Sequence, residues 1–435
     1  MKLRAPYPFW NNKHVQANDL PTPEQISQDD YATLRLKGVD CSQLDLSAYD
    51  PQLIEFDENT IWPTDLAKMP KDFDPKETMA LGKRLLNVQA LHKKGLTGKG
   101  LSIAIIDQFL SDHTEYHDNL VHYEEIGFDQ PHYEENHETM HGSMHGSAVA
   151  SLAVGKTCGV APDAKLYYFA ANNHVDANNK FISMNSKDYD KKGSSHNYAR
   201  ALERIIEINK ELVQKGEKPI QVVSISWGAM HKRDKTGEWA KAMEHAQQNG
   251  LAVLNASCFE GTSFWTFALD RKYNQPTQEG KNYFLPRWFV NIALPHLKKE
   301  AKKGLLAFPA GHITTASEIG SDKFVHYARA DYSWKTPYIA GLFVLARQIN
   351  PSVTPQQFYE ATVATSALGK DGIARVPNLL QLMNFLENEY TLNIKRQAIK
   401  TTTALPQTHS KLFNFIKNKV QQRKAKKTPT KEASR

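Results

Sequence analysis

The chain has 435 residues, 40% of them hydrophobic and 23% charged, with a formal net charge of +7. These are the proportions of a soluble globular protein, long enough for one large domain plus extensions or for two to three smaller ones. Nine Lys or Arg and one Glu lie between Lys411 and Arg435, so the rest of the chain is close to neutral, which argues against a folded, basic nucleic-acid-binding face.

The start, Met1 to Trp10, carries charge and two prolines but no apolar run of signal-peptide length. No stretch approaches the ~18 apolar residues of a membrane span. Cys41, Cys158 and Cys258 are too few for a disulfide framework and form no metal-type pair, so a reducing, cytoplasmic setting is expected. Residues 1–80 hold 14 acids against 8 bases, with many prolines and no sustained periodicity. They read as an extended, partly packed N-terminal arm, with a prosegment as the alternative.

Regular alternation begins near residue 81. Ser102 to Ile106 is a short apolar run of the buried-strand kind, ending on Asp107. Lys165 to Ala171, Gln221 to Ser226, Leu251 to Ala256 and Trp288 to Ala293 read as further strands. Between them, 198–215 places Ala201, Ile205, Ile208 and Leu212 on one helical face, and a helix over 238–249 stops before Gly250. The order strand, helix, strand predicts a mostly parallel sheet covered by helices on both faces, an α/β fold over 81–390. After Leu386 the pattern fades, and 391–435 reads as a basic, disordered tail.

Parallel sheets present ligands at the carboxyl ends of their strands. Asp107 stands at such an end. His145 opens an apolar, small-residue helix in His141-Gly-Ser-Met-His145-Gly-Ser-Ala-Val-Ala, and Ser333 precedes a helix with Pro337 in its first turn. Taken singly, each is more simply a loop or capping residue. Together they are the ingredients of a nucleophilic triad: a serine that attacks, a histidine that takes its proton, and an aspartate that holds the imidazolium.

The segments around them resemble the subtilisin-like serine proteases, the subtilases. Leu86 to Asp107 is similar to the family's mature start running into its aspartate strand. His145-Gly-Ser-Ala-Val-Ala, followed by Gly159-Val-Ala-Pro162, resembles the histidine motif; the helix that follows favours His145 over His141. Ser224-Ile-Ser226-Trp227-Gly228 resembles the strand that pairs with substrate backbone, and Phe308-Pro-Ala-Gly311 the loop before the nucleophile. Ser333-Trp-Lys-Thr-Pro-Tyr-Ile-Ala-Gly341 resembles the serine motif itself. The resemblance spans roughly 81–370 and implies a three-layer subtilisin-like fold and a serine endopeptidase working through Asp107, His145 and Ser333. A peptide or protein would bind as an extended strand. No cofactor and no metal are implied; the connection after the His145 helix leaves no room for the family's calcium loop, and Asp112, Glu115 and Asp118 read as a solvated loop, with a second calcium site as the alternative.

The sequence also departs from that pattern. Phe259 stands where the family places an oxyanion-binding asparagine, leaving Ser257, Cys258 or Asn255 as substitute donors. Asp331-Tyr332 replaces a small Gly-Thr pair before the nucleophile. Lys335 lies in a helix's first turn, where it is expected to reach solvent or pair with Asp331; reshaping of the cleft by Asp331, Tyr332 and Lys335 is the other reading. Trp227 either fills part of the substrate pocket or packs at the sheet edge. These departures set a second expectation beside the first, a catalytically weak or inactive pseudoprotease acting as a peptide-binding or regulatory module. The tail is expected to be solvated or to contact an acidic surface, with no specific nucleic acid and no membrane span.

Overall fold

The computed structural model describes residues 3–4, 13–14, 20–84, 87–127, 141–171, 195–228, 234, 237–259, 265–277, 279–296 and 305–400. Its centre is a five-stranded parallel sheet in the order Leu120–Ile126, Lys165–Ala171, Ser102–Asp107, Val222–Ile225, Ala252–Asn255. The side-chain period of two divides the middle strand between two cores. Ile103 and Ile105 pack with the helices Met144–Val154 and Tyr332–Ile349, whereas Ala104 and Ile106 face Ser195–Gln214 and Glu238–Gln248. A strand buried on both faces has no polar alternation to show, which is why Ser-Ile-Ala-Ile-Ile is continuously apolar. The result is the expected three-layer α/β fold.

Ala201, Ile205, Ile208 and Leu212 are all buried on the face read from their spacing. Two expectations about elements need correction. Trp288 to Ala293 is not a strand: Phe289–Ala293 is helical, and the turn starts where Phe289 and Val290 donate to Pro286 O at 2.9 and 3.1 Å. Phe289 is buried while Val290 and Ile292 are exposed, a division that a short apolar run does not reveal. Conversely, Leu120–Ile126 is an edge strand whose sequence, Leu-Val-His-Tyr-Glu-Glu-Ile, is too polar to be read as one. The C-terminal segment also differs in part: the backbone stays helical over Leu379–Lys400, past the point where order was expected to fade. The lysine-rich end from 401 lies outside the described residues.

Residues 1–387 form one compact unit, and Asn388–Arg435 a second. The N-terminal segment is built into the first. Ile54–Asp57 pairs in parallel with Leu34–Arg35 and antiparallel with Phe324–Tyr327. Around these strands Leu34, Leu36, Leu46, Phe56, Met69 and Phe73 form a core of their own. Side chains add to the join: Gln52 Nε2 donates to Arg271 O at 2.7 Å, and Thr314 Oγ1 donates to Met79 O at 2.8 Å. The three cysteines are free thiols.

Candidate active site

Asp107 ends the central strand, buried, and its Oδ1 accepts from the backbone N–H of Gln108 at 2.8 Å. The same oxygen lies 2.6 Å from His145 Nδ1. It is thus His145 whose ring meets the carboxylate, and the tandem sequence explains how. Ser143, from the first His-Gly-Ser copy, is the helix N-cap; its hydroxyl accepts the His145 N–H at 3.1 Å, and its own N–H donates to Phe109 O at 2.9 Å. The helix is thereby tied to the loop that follows Asp107. Gly146 permits the approach, because a Cβ there would lie 2.4 Å from Phe109 O.

The imidazole is largely buried. Burial alone would pull its pKa down, but the charge and hydrogen bond of Asp107, with the charge of Asp331, outweigh this and hold it above the ordinary value. One face of the ring meets Trp334, with centroids 5.4 Å apart, and Trp334 stacks in turn on Tyr327 at 4.9 Å.

Ser333 is the second residue of the helix Tyr332–Ile349, whose N-cap is Asp331. Its Oγ donates to Ser226 O at 3.4 Å, and Ser226 Oγ donates back to Ser333 O at 2.9 Å. Among the described residues its hydroxyl is not hydrogen-bonded to His145. The structure therefore pairs Asp107 with His145 and sets Ser333 on the Ser226 segment. Such catalytic contacts often tighten only when substrate is bound.

Of the four substrate-strand candidates, Ser224 stands apart. It is buried inside the sheet, with Ile105 and Leu254 paired on its two sides, so no further strand can align with it. Ser226, Trp227 and Gly228 lie beyond the strand end. Trp227 packs edge-on against Tyr198 at 5.8 Å, which supports the packing reading of this residue.

The oxyanion candidates separate in the same way. Phe259 is buried against Phe343 and Phe358, turned into the core. Asn255, also buried, uses its carboxamide oxygen to accept the N–H groups of Ser257 and Cys258 at 2.7 and 2.9 Å, so it shapes the turn. The Ser257 hydroxyl lies against the backbone of Gly228, where an added Cβ would be 2.8 Å from it. Cys258 is partly buried, within the electrostatic reach of Lys335.

Lys335 overturns its expectation. It neither reaches solvent nor pairs with Asp331; it is fully buried, and Nζ donates to Ala256 O at 2.8 Å and Thr266 Oγ1 at 2.7 Å. Desolvation lowers its pKa to about 7, against smaller opposing effects of Cys258 and Asp331. A lysine that looks ill-placed on a helix's first turn in fact ties that helix to the Asn255–Phe259 turn. Asp331 instead meets Arg329, with Nη2 and Oδ2 3.3 Å apart.

Asp112, Glu115 and Asp118 do not converge. Glu115 is buried and accepts from the N–H and hydroxyl of Thr157 and the N–H of Cys158, while Asp112 meets His117 and Asp118 meets Lys156. Glu115 thus closes the short turn after the His145 helix. Among the described residues no group of three His, Cys, Asp or Glu is placed to hold a metal, and no helix is long and apolar enough to cross a membrane.

Residues 98–278 match the model of the subtilase family. The match contains Asp107, His145 and the Ser226 segment, and ends before Ser333. No curated protein sequence matches the chain. Among solved structures, the serine protease MycP1, an essential component of the type VII (ESX-1) secretion system, is 18% identical with a TM-score of 0.44, over 71% of this chain and 90% of its own. Fervidolysin from Fervidobacterium pennivorans, a keratinolytic enzyme related to subtilisin, is 14% identical with a TM-score of 0.45, over 74% of this chain and 46% of its own. A structure of the subtilase cytotoxin SubAB is 13% identical with a TM-score of 0.44, over 74% of this chain and all of its own.

Proposed function

We propose that the protein is a serine endopeptidase whose triad is Asp107, His145 and Ser333. The observation that carries this reading is the 2.6 Å contact between His145 Nδ1 and the buried Asp107 carboxylate. That contact fixes the tautomer with a proton on Nδ1 and leaves Nε2 as the base. A substrate segment would lie along Ser226 to Gly228. Ser333 Oγ would attack the scissile carbonyl and pass its proton to His145, which would return it to the leaving amine. Water would then hydrolyse the acyl-enzyme by the reverse transfers.

A second reading, a weak or inactive pseudoprotease that binds peptides, has its own support: Phe259 is turned into the core, and the Ser333 hydroxyl is engaged with Ser226 O. An alkyl fluorophosphonate probe separates the two. Covalent labelling of the wild type, absent in Ser333→Ala, is the expected result. A folded wild type that never labels would favour the binding module.

A further inference from the structure

The backbone N–H of Ser333 already has a partner. Asp331 Oδ1 accepts from it at 3.2 Å, and Asp331 Oδ2 is held by Arg329 Nη2 at 3.3 Å. An oxyanion formed on a carbonyl attacked by Ser333 Oγ develops within reach of that same residue's amide, so carboxylate and oxyanion compete for one donor. The side chain that would supply a second donor in this family is here a buried phenyl ring, Phe259. The charge of Asp331 is also felt at His145, which places it inside the site.

Arg329 is set from the N-terminal segment. Its Nη1 donates to Tyr31 O at 3.0 Å, and its guanidinium lies 5.7 Å from the Tyr31 ring. Tyr31 stacks on Trp288 at 5.7 Å, and Trp288 Nε1 donates to Ala330 O at 3.1 Å. Beside it, Asp30 pairs with Arg287 at 2.7 Å and accepts from Asn291, while Arg287 Nη2 donates to Asp29 O at 2.8 Å. Tyr31 thus meets the loop before Ser333 directly at Arg329 and indirectly through Trp288, while Asp29 and Asp30 anchor the segment to Arg287 and Asn291.

We propose that Asp331 is a gating residue for acyl transfer: its carboxylate occupies, on the Ser333 amide, the place of the substrate oxyanion, and the Asp29–Tyr31 segment holds it there through Arg329. The proposal rests on Ser333 being the nucleophile. Displacing the N-terminal grip frees the amide, so the chain's own segment regulates its site.

The test uses the full chain and the rate of labelling by an alkyl fluorophosphonate. In that reaction the Ser333 Oγ–P bond forms, the P–F bond breaks, fluoride leaves, and the hydroxyl proton passes to His145. Asp331→Asn replaces the carboxylate on the Ser333 amide with a neutral, weaker acceptor that an oxyanion can displace, and it offers an N–H to the developing oxyanion. It is expected to label ~10- to 100-fold faster than wild type, somewhat less than the full weight of a single oxyanion donor. Arg329→Gln and Tyr31→Ala are expected to label severalfold faster, with Asp331→Asn masking their effect when combined. A purely structural role for Asp331 would slow labelling in all three. Wild-type labelling with no acceleration in folded Asp331→Asn overturns the gate and leaves the nucleophile standing. Should Asp331→Asn fail to fold, Arg329→Gln and Tyr31→Ala decide: faster labelling supports the gate, and equal or slower labelling overturns it. No labelling in any folded protein overturns the nucleophile and the gate together.

Discussion

The two halves of the site are built on different terms. The acid–base half is held by elements ready before substrate arrives: a strand end, a capped helix and a glycine that lets them touch. The nucleophile half is held by charged groups with other commitments: Asp331 on an amide it would have to release, and Lys335 buried among oxygens. The first half follows the subtilase sequence pattern closely and the second departs from it, so the departures concentrate where transition-state charge would be stabilised. Pre-organised donors at such positions usually carry the largest share of rate enhancement. On the proposed reading, an intact Asp–His pair beside a covered Ser333 amide would give low basal turnover that release of Asp331 could raise.

The largest expected effect falls on the first half. On the proposed reading, Asp107→Asn keeps the shape but supports the wrong imidazole tautomer, and is expected to lower kcat by about 10⁴, the size of the effect established for one Ser–His–Asp triad. Peptide-substrate kinetics on the folded variant check this; an unchanged kcat would break the division between the halves. Phe259→Ala is expected to cost about 3–5 kcal/mol of stability, the usual range for a phenyl ring removed from a core. A denaturant midpoint near that of wild type would show that Phe259 is not the packing residue described.

Lys335→Met sharpens the comparison through pH. The folded lysine has a pKa of about 7 against the ordinary 10.5, so between these values the unfolded chain binds more protons, and folding stability rises with pH. Below about 7 both states are protonated and the full burial penalty remains. Wild type is expected to gain on Lys335→Met as pH rises from 7 towards 10, by an amount on the order of a few kcal/mol. A pH-independent difference in unfolding free energy would contradict a buried, depressed amine. The smallest effect concerns His145. With its pKa held above the ordinary 6.5, the neutral, competent form accumulates only at higher pH, so kcat/KM is expected to rise through an apparent pKa above 6.5. A midpoint below that value would contradict the dominance of Asp107 over burial.

What could be read from the sequence follows the same division. Asp107 and His145 are legible because a strand-end acid and a histidine in a helix's first turn sit in local patterns that dictate their own placement. Lys335 is not, because its partners, Ala256 O and Thr266 Oγ1, are supplied by a distant turn whose approach no local pattern records. Leu120–Ile126 was hidden because an edge strand may stay polar, and 288–293 misled because a short apolar run fits a helical turn as well as a strand. The N-terminal segment looked loose for a related reason: its strands are short and complete themselves only against Phe324–Tyr327.

That last pairing has a consequence for how the protein is made. Ile54–Asp57 leaves the ribosome about 270 residues before the strand that covers its edge, so it waits through most of synthesis for its partner. The grip of Asp29–Tyr31 on the nucleophile loop must form at least as late, since that loop follows the same partner strand. Until then the edge of Ile54–Asp57 that meets Phe324–Tyr327 stays unpaired. It also means that Ser333 emerges after Tyr31, so the contact of Tyr31 with Arg329 and the placement of Ser333 can form in a single folding step.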